Sequence, residues 1–240
     1  METIENQSKS LSLRCLMVFP DNYQPNRDYP LVVLLHGFGS HMGDLATLAP
    51  AIEREGYIYV CPNAPTSLQI GPGMVGYSWA ALGRQDTPES MGSTVALLNE
   101  FIDQIIKQYH VPSGKVILGG FSQGGGMAYR CALGKPKVFA GIAALSSTMP
   151  QPDEIGPLLP GPRTQAIFIS HGANDSMIPL ERAKETRGFL EAEGYTPFYK
   201  EYPMGHQITQ EVLEDLVPWM RRVSPPLSLA TPSNPEGQNV

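Results

Sequence analysis

Cysteine is scarce in this chain: Cys15, Cys61 and Cys131 are the three among 240 residues, and none stands at CxxC spacing. An odd number cannot pair fully within one chain, and the missing CxxC pattern argues against a zinc knuckle or a disulfide framework. Free thiols in a reducing, cytoplasmic compartment are the expectation. Positive charge is also in deficit, since 17 Lys and Arg face 23 Asp and Glu for a formal charge of −6. A chain without a basic excess has no electrostatic footprint for phosphate backbones, so nucleic acid is not an expected partner. No apolar run approaches the roughly 20 residues of a membrane helix. The first residues, Met1 to Ser8, lack the basic and then apolar pattern of a signal peptide. No internal repeat is visible. A chain of this length can bury a core without disulfide or metal support.

What is present is an alternation of short apolar runs with helical periodicity. Leu11–Phe19 reads as an early strand, and Leu31–Leu35 and Tyr57–Cys61 are apolar runs of the kind buried on both faces of a parallel sheet. Val95, Leu98, Ile102, Ile105 and Ile106 recur at helical spacing between Ser93 and Tyr109. Val116–Leu118, Phe139–Leu145, Ala166–Ile169 and Pro197–Tyr202 read as further strands. Met127–Leu133, Leu180–Ala192 and Glu211–Arg222 read as helices. Alternation of this kind predicts an α/β sandwich, a mostly parallel sheet with helices on both faces. One domain is expected over residues 11–223, and residues 224–240, rich in Pro, Ser, Asn and Gly, are expected to be a disordered tail.

In such a sandwich, chemistry collects where strands end at their carboxyl side. Gly120-Phe121-Ser122-Gln123-Gly124 lies between a strand and a helix, the context of a nucleophile elbow. Glycines on either side let backbones approach closely in a sharp turn, and the following helix points its positive end at developing negative charge. A serine hydroxyl needs an imidazole to take its proton. His36, His41 and His110 precede the serine, whereas the order behind such an elbow is serine, acid, histidine. His171 precedes the best acid, which leaves His206 as the base. Asp175, a few residues past a strand, is preferred as the acid over Asp153 in a proline-rich loop and Glu201 inside a strand. An oxyanion hole would take backbone N–H groups from Gln123, after the nucleophile, and from Phe38 in the His36-Gly37-Phe38-Gly39 turn.

With Leu34-Leu35-His36-Gly37, GFSQGG at 120–125, Ala144-Leu145-Ser146-Ser147, His171-Gly172-Ala173-Asn174-Asp175 and Gly205-His206, the chain resembles the phospholipase/carboxylesterase family of α/β-hydrolases. The likeness spans roughly residues 11 to 222 and covers the acyl-protein thioesterases. It implies an α/β-hydrolase fold, a Ser122–Asp175–His206 triad, no metal and no cofactor. Members of that family cleave carboxylic esters, lysophospholipids or acyl thioesters. The chain departs from the thioesterase-like HGLGD turn with His36-Gly37-Phe38-Gly39-Ser40-His41, and it has its own version of the loop from Gly71 to Met91. Both leave the acyl specificity open.

Gly71-Pro72-Gly73-Met74-Val75-Gly76 matches a dinucleotide fingerprint in letters alone. No strand runs into it and no amphipathic helix leaves it, so it reads as a flexible loop lining the site. His36, His41 and Asp44 match no common metal-ligand spacing. Met- and aromatic-rich loops near the strand ends suggest an apolar lining for the substrate, with Tyr77, Trp79, Met149, Met177 and Ile178 as contacts. The proline-rich insertion Met149–Pro162 is too short for a helical cap, which suggests an open site. The reading is a serine carboxylesterase acting on a small-molecule ester. A thioesterase or lysophospholipase is the enzymatic alternative, and a ligand-binding protein on a hydrolase fold the non-enzymatic one. The apolar stretch Met74–Trp79 could equally serve a homodimer.

Overall fold

The computed structural model describes residues 1–6, 11–81 and 88–228. In chain order its elements are β1 (Glu2–Asn6), β2 (Cys15–Phe19), β3 (Leu31–Leu35), α1 (Met42–Ala46), α2 (Ala49–Ile52), β4 (Ile58–Pro62), β5 (Thr66–Gly71) and β6 (Met74–Ser78). There follow α3 (Pro88–Gln108), β7 (Val116–Phe121), α4 (Gln123–Ala132), β8 (Phe139–Leu145) and α5 (Pro152–Ile155) with a 3₁₀ turn at Gly156–Leu158. The last elements are β9 (Ala166–Gly172), α6 (Leu180–Ala192), β10 (Phe198–Tyr202) and α7 (Gln210–Val223).

Eight strands form one sheet in the order β1-β2-β4-β3-β7-β8-β9-β10. The two outer pairings on the N-terminal side are antiparallel and all the others are parallel. This is the α/β-hydrolase fold, with helices on both faces and, among the described residues, no large cap. The strand side chains explain the layers. Val33, Leu35, Leu118, Ile142 and Ile169 face α3 and α4, where Leu98, Phe101, Ile105 and Met127 meet them. Val32, Leu34, Ile117, Leu145 and Phe168 face the other way, against Leu45 of α1, Ile52 of α2 and Leu216, Trp219 and Met220 of α7. Each central strand supplies both cores by simple alternation, so a strand such as β3 is apolar along its whole length.

Several expected elements differ. The early strand is shorter, starting at Cys15, and the sheet begins before the expected boundary at residue 11, because Glu2–Asn6 pairs with β2 along a polar edge. The tail does not leave the domain at 224. Ser224 is fully buried with its carbonyl accepting from Tyr57 Oη at 2.6 Å, and Leu227 N–H donates to Gly56 O at 2.9 Å. The expected disorder of residues 229–240 lies outside the described residues. The segment Gly71–Gly76 is no loose loop. It forms the turn and one arm of the β5–β6 hairpin, with Gly73 at φ 71° in the turn.

Candidate active site

The parallel register brings five strand ends to one edge. Leu35 of β3 stands level with Gly120 of β7, Phe121 with Leu145 of β8, Leu145 with Ser170 of β9, and Gly172 with Tyr202 of β10. Ser122, Asp175, His206 and the turn carrying Phe38 therefore follow strand ends at the same carboxyl edge of the sheet.

Ser122 occupies the turn between β7 and α4 with φ 53° and ψ −119°, a conformation that costs a non-glycine residue about 1–3 kcal/mol. The surrounding contacts impose it. Ser122 N–H donates to Leu145 O at 2.9 Å, and α4 packs so closely that a Cβ on Gly124 would lie 2.1 Å from Leu35 O. Starting at Gln123, α4 leaves its first N–H groups without intrahelical partners, directed at the space around Ser122. The helix was expected only from Met127, because Gly124-Gly125-Gly126 has poor helix propensity. Close packing overrides propensity at Gly124, against Leu35 of β3, and at Gly125, where a Cβ would lie 2.3 Å from Ser147 Oγ.

Asp175 and His206 come from the loops after β9 and β10. Those loops are tied together by Ala173 N–H to Tyr202 O (2.8 Å) and Asn174 N–H to Met204 O (3.0 Å). The result is a 2.7 Å hydrogen bond between His206 Nδ1 and Asp175 Oδ2. Asp175 Oδ1 accepts the N–H groups of Met177 and Ile178, each at 2.9 Å. Burial of the carboxyl pushes its pKa up. The Ile178 N–H, the His206 ring and the Met177 N–H outweigh that effect and hold the pKa below the usual carboxylate range. An ionised Asp175 that accepts the Nδ1–H hydrogen bond leaves His206 Nε2 as the acceptor. The Phe121 ring, next in sequence to Ser122, packs on His206 with centroids 4.8 Å apart.

The turn after β3 lies directly beside the serine, since a Cβ on Gly37 would sit 3.4 Å from Ser122 Cβ. His36 holds this turn from within. Its Nδ1 is 2.7 Å from Gly37 O, its Nε2 accepts Ala64 N–H at 3.1 Å, and its carbonyl accepts Trp79 Nε1–H at 3.0 Å. Burial lowers the His36 pKa, which keeps the ring neutral. On the other side, Gly39 N–H donates to Tyr77 O (2.9 Å) and Tyr77 N–H to Ser40 O (2.8 Å), locking the turn to the β5–β6 hairpin.

A cavity of about 320 Å³ opens beside Ser122. Ser122, Gln123, Arg130, Met149, Glu154 and Arg182 contribute to its wall.

A family model described as Phospholipase/Carboxylesterase matches residues 23–224. The chain belongs to the phospholipase/carboxylesterase family. Acyl-protein thioesterase 1 of Mycosarcoma maydis is 27% identical over 215 residues, covering 80% of this chain and 90% of that protein. The crystal structure of esterase PE8 superposes with a TM-score of 0.72 at 23% identity, over 93% of this chain and all of that one. Arabidopsis thaliana SOBER1 gives a TM-score of 0.70 at 25% identity, over 81% and 99%.

Within this phospholipase/carboxylesterase-family chain, the structure brings Ser122, Gln123, Phe38, Asp175 and His206 to one edge but rearranges the expected substrate contacts. Met149 and Ile178 line the cavity. Trp79 does not: it is fully buried in the core and serves the His36 carbonyl. Tyr77 is not among the residues lining that cavity, and its backbone bridges to Ser40. Met177 is 73% exposed and points out to solvent. His41 caps α1 through Gly43 N–H, and His36 is turned to Ala64. Sequence reasoning missed two supporting residues. Gln123 contributes its side chain as well, with Oε1 accepting Trp79 N–H at 3.0 Å. Buried His171 lies with Nε2 2.9 Å from Ile178 O and 3.5 Å from Asp175 Oδ2, bracing the acid loop. The signal for His171 was its position at a strand end four residues before Asp175, where a base was sought and a brace was not.

Proposed function

We propose that this protein hydrolyses carboxylic esters through an acyl-enzyme on Ser122. The observation that carries the reading is the 2.7 Å His206 Nδ1–Asp175 Oδ2 hydrogen bond behind a serine in a strained turn at a helix N-terminus. His206 Nε2 takes the Ser122 Oγ proton as Oγ attacks the ester carbonyl carbon. The N–H groups of Phe38 and Gln123 receive the oxyanion, and their prior orientation avoids reorganisation at the moment of reaction. His206 returns its proton to the leaving alkoxide. It then deprotonates a water that attacks the acyl-enzyme, and collapse of the second tetrahedral intermediate releases the acid and restores Ser122. Asp175 keeps the imidazole in the required tautomer and stabilises its cation. Three buried, unpaired thiols fit a cytoplasmic setting.

Thioesterase activity on acylated proteins is a second reading, favoured by the names of the curated relatives. Charged side chains in the cavity wall disfavour a long alkyl chain there. The test is kcat/KM for 4-nitrophenyl esters from acetate to palmitate, with Ser122→Ala as control. Preference for short chains, lost by about 10³-fold or more in the variant, supports the carboxylesterase. Preference for long chains favours the thioesterase or lysophospholipase reading. Turnover that survives in the variant, or none in the wild type, overturns the triad.

A further inference from the structure

The wall of the cavity beside Ser122 is more polar than its loop sequences suggest. Ser122, Gly126 and Arg130 all line it, at spacings of four residues along one face of α4. Gly126 keeps the space between the other two open, and a Cβ there would lie 3.7 Å from Arg130 Nη1. The Arg130 side chain is only 15% exposed and its Nη2 donates to Glu154 Oε2 at 3.2 Å, Glu154 being 12% exposed. Its Nε–H is buried with no hydrogen-bond partner. That Nε is closed off from the cavity, so the nitrogens a ligand meets are the terminal ones, Nη1 near Gly126 and Nη2 shared with Glu154. Arg182, the first-turn arginine of α6, stands in the same wall and also in an adjoining cavity of about 240 Å³ reached past Met149 and Pro150. Its ion pair with Glu185 is solvent-exposed on both sides and therefore weak and exchangeable. Arg130 is paired with the buried Glu154 and Arg182 with the exposed Glu185, so Arg182 is the cation whose partner a ligand displaces most readily.

We propose that the ester taken at Ser122 carries a carboxylate, which is seated between Arg130 and Arg182. This rests on the acyl-enzyme reading above and names its substrate class. Two turns of α4 separate Ser122 from Arg130, about 12 Å along the axis. An arginine side chain leans back toward the helix N-terminus, so the carboxylate lies on a spacer of about four to six carbons from the reacting carbonyl or its ester oxygen. Planar guanidinium groups suit a carboxylate better than a neutral alkyl end does.

Matched ester pairs test the idea, differing only in a carboxylate that replaces a terminal methyl group. On the acyl side the pair is ethyl hexanoate and monoethyl adipate, and on the alcohol side hexyl butyrate and 6-butyryloxyhexanoate. In at least one pair the anionic ester should have a kcat/KM at least tenfold above its neutral partner at low ionic strength, and the pair that does so identifies which half bears the charge. Arg182→Gln should lower that ratio at least tenfold. Arg130→Met combined with Glu154→Gln should do the same without stranding a buried carboxylate. Ratios of one or less in both pairs, or a ratio unchanged in both variants, overturn the proposal. Ester turnover that persists in Ser122→Ala would instead overturn the acyl-enzyme reading on which it rests.

Discussion

Gly124 stands at the second position of α4, where helix propensity and tertiary packing demand opposite residues. Propensity alone favours Gly124→Ala, since alanine is better than glycine by about 1 kcal/mol inside a helix. The structure reverses that sign. A Cβ at this position would sit 2.1 Å from Leu35 O, 2.6 Å from Leu35 C and 2.7 Å from His36 O, all of them backbone atoms. Carbon does not approach such atoms within 3.0 Å, so α4 and β3 must separate by about 1 Å, an overpacking change that costs about 1–3 kcal/mol. The displaced elements carry Ser122 and the His36–Gly39 turn, and a 1 Å misplacement of reacting groups lowers rates by about 10²-fold. Gly188→Ala in α6 is the control, because nothing lies within 4 Å of its Cβ position. That change should stabilise by about 0.5–1 kcal/mol with unaltered turnover. Urea midpoints and kcat/KM for 4-nitrophenyl butyrate measure both effects. If Gly124→Ala proves as stable and as active as the parent, the close contact between α4 and β3 is not what defines the elbow.

Three further outcomes are expected. Asp175→Asn keeps the buried shape and the Met177 and Ile178 hydrogen bonds but favours the wrong His206 tautomer, so kcat should fall about 10⁴-fold while the thermal midpoint barely moves; a loss under tenfold would remove Asp175 from the triad. His36 is neutral in the fold with its pKa lowered by burial, whereas an unfolded histidine titrates near about 6.5. The unfolded chain then binds the extra proton, so the His36 contribution is complete above that pH and declines as pH falls below it. Urea midpoints at pH 7.5 and 5.5 should show a smaller drop in His36→Gln than in the parent, and equal drops would refute this. Trp79→Phe strips the buried His36 carbonyl of its donor and should destabilise by about 1–3 kcal/mol with KM for 4-nitrophenyl butyrate unchanged; a raised KM with normal stability would return Trp79 to the substrate.

The strands and the elbow were legible because their signals are local. Val32, Val33 and Leu34 are apolar in succession because both sheet faces are covered, and Gly120 and Gly124 flank Ser122 because the backbones on either side touch. The Glu2–Asn6 strand was illegible because an edge strand can be polar along its length. The hairpin at Thr66–Ser78 was hidden by a glycine-rich stretch that reads as a loop. The aromatic and methionine residues were judged by proximity to strand ends, which says nothing about direction. Trp79 turned inward to His36 and Met177 outward to solvent, while Arg130, on a helix face that sequence had assigned no chemistry, entered the cavity.

By itself the sequence determined the order of the central strands and their main helices, and with it which short peptides stand at the carboxyl edge. Hydrophobic runs, periodicity and glycine spacing depend on neighbours along the chain, and a parallel sheet converts that order into position. Only the tertiary structure decided how closely α4 meets β3, the 2.7 Å approach of His206 to Asp175, and the charged groups lining the cleft. Those depend on contacts between segments far apart in the chain, where the direction of a side chain is set by whatever packs against it.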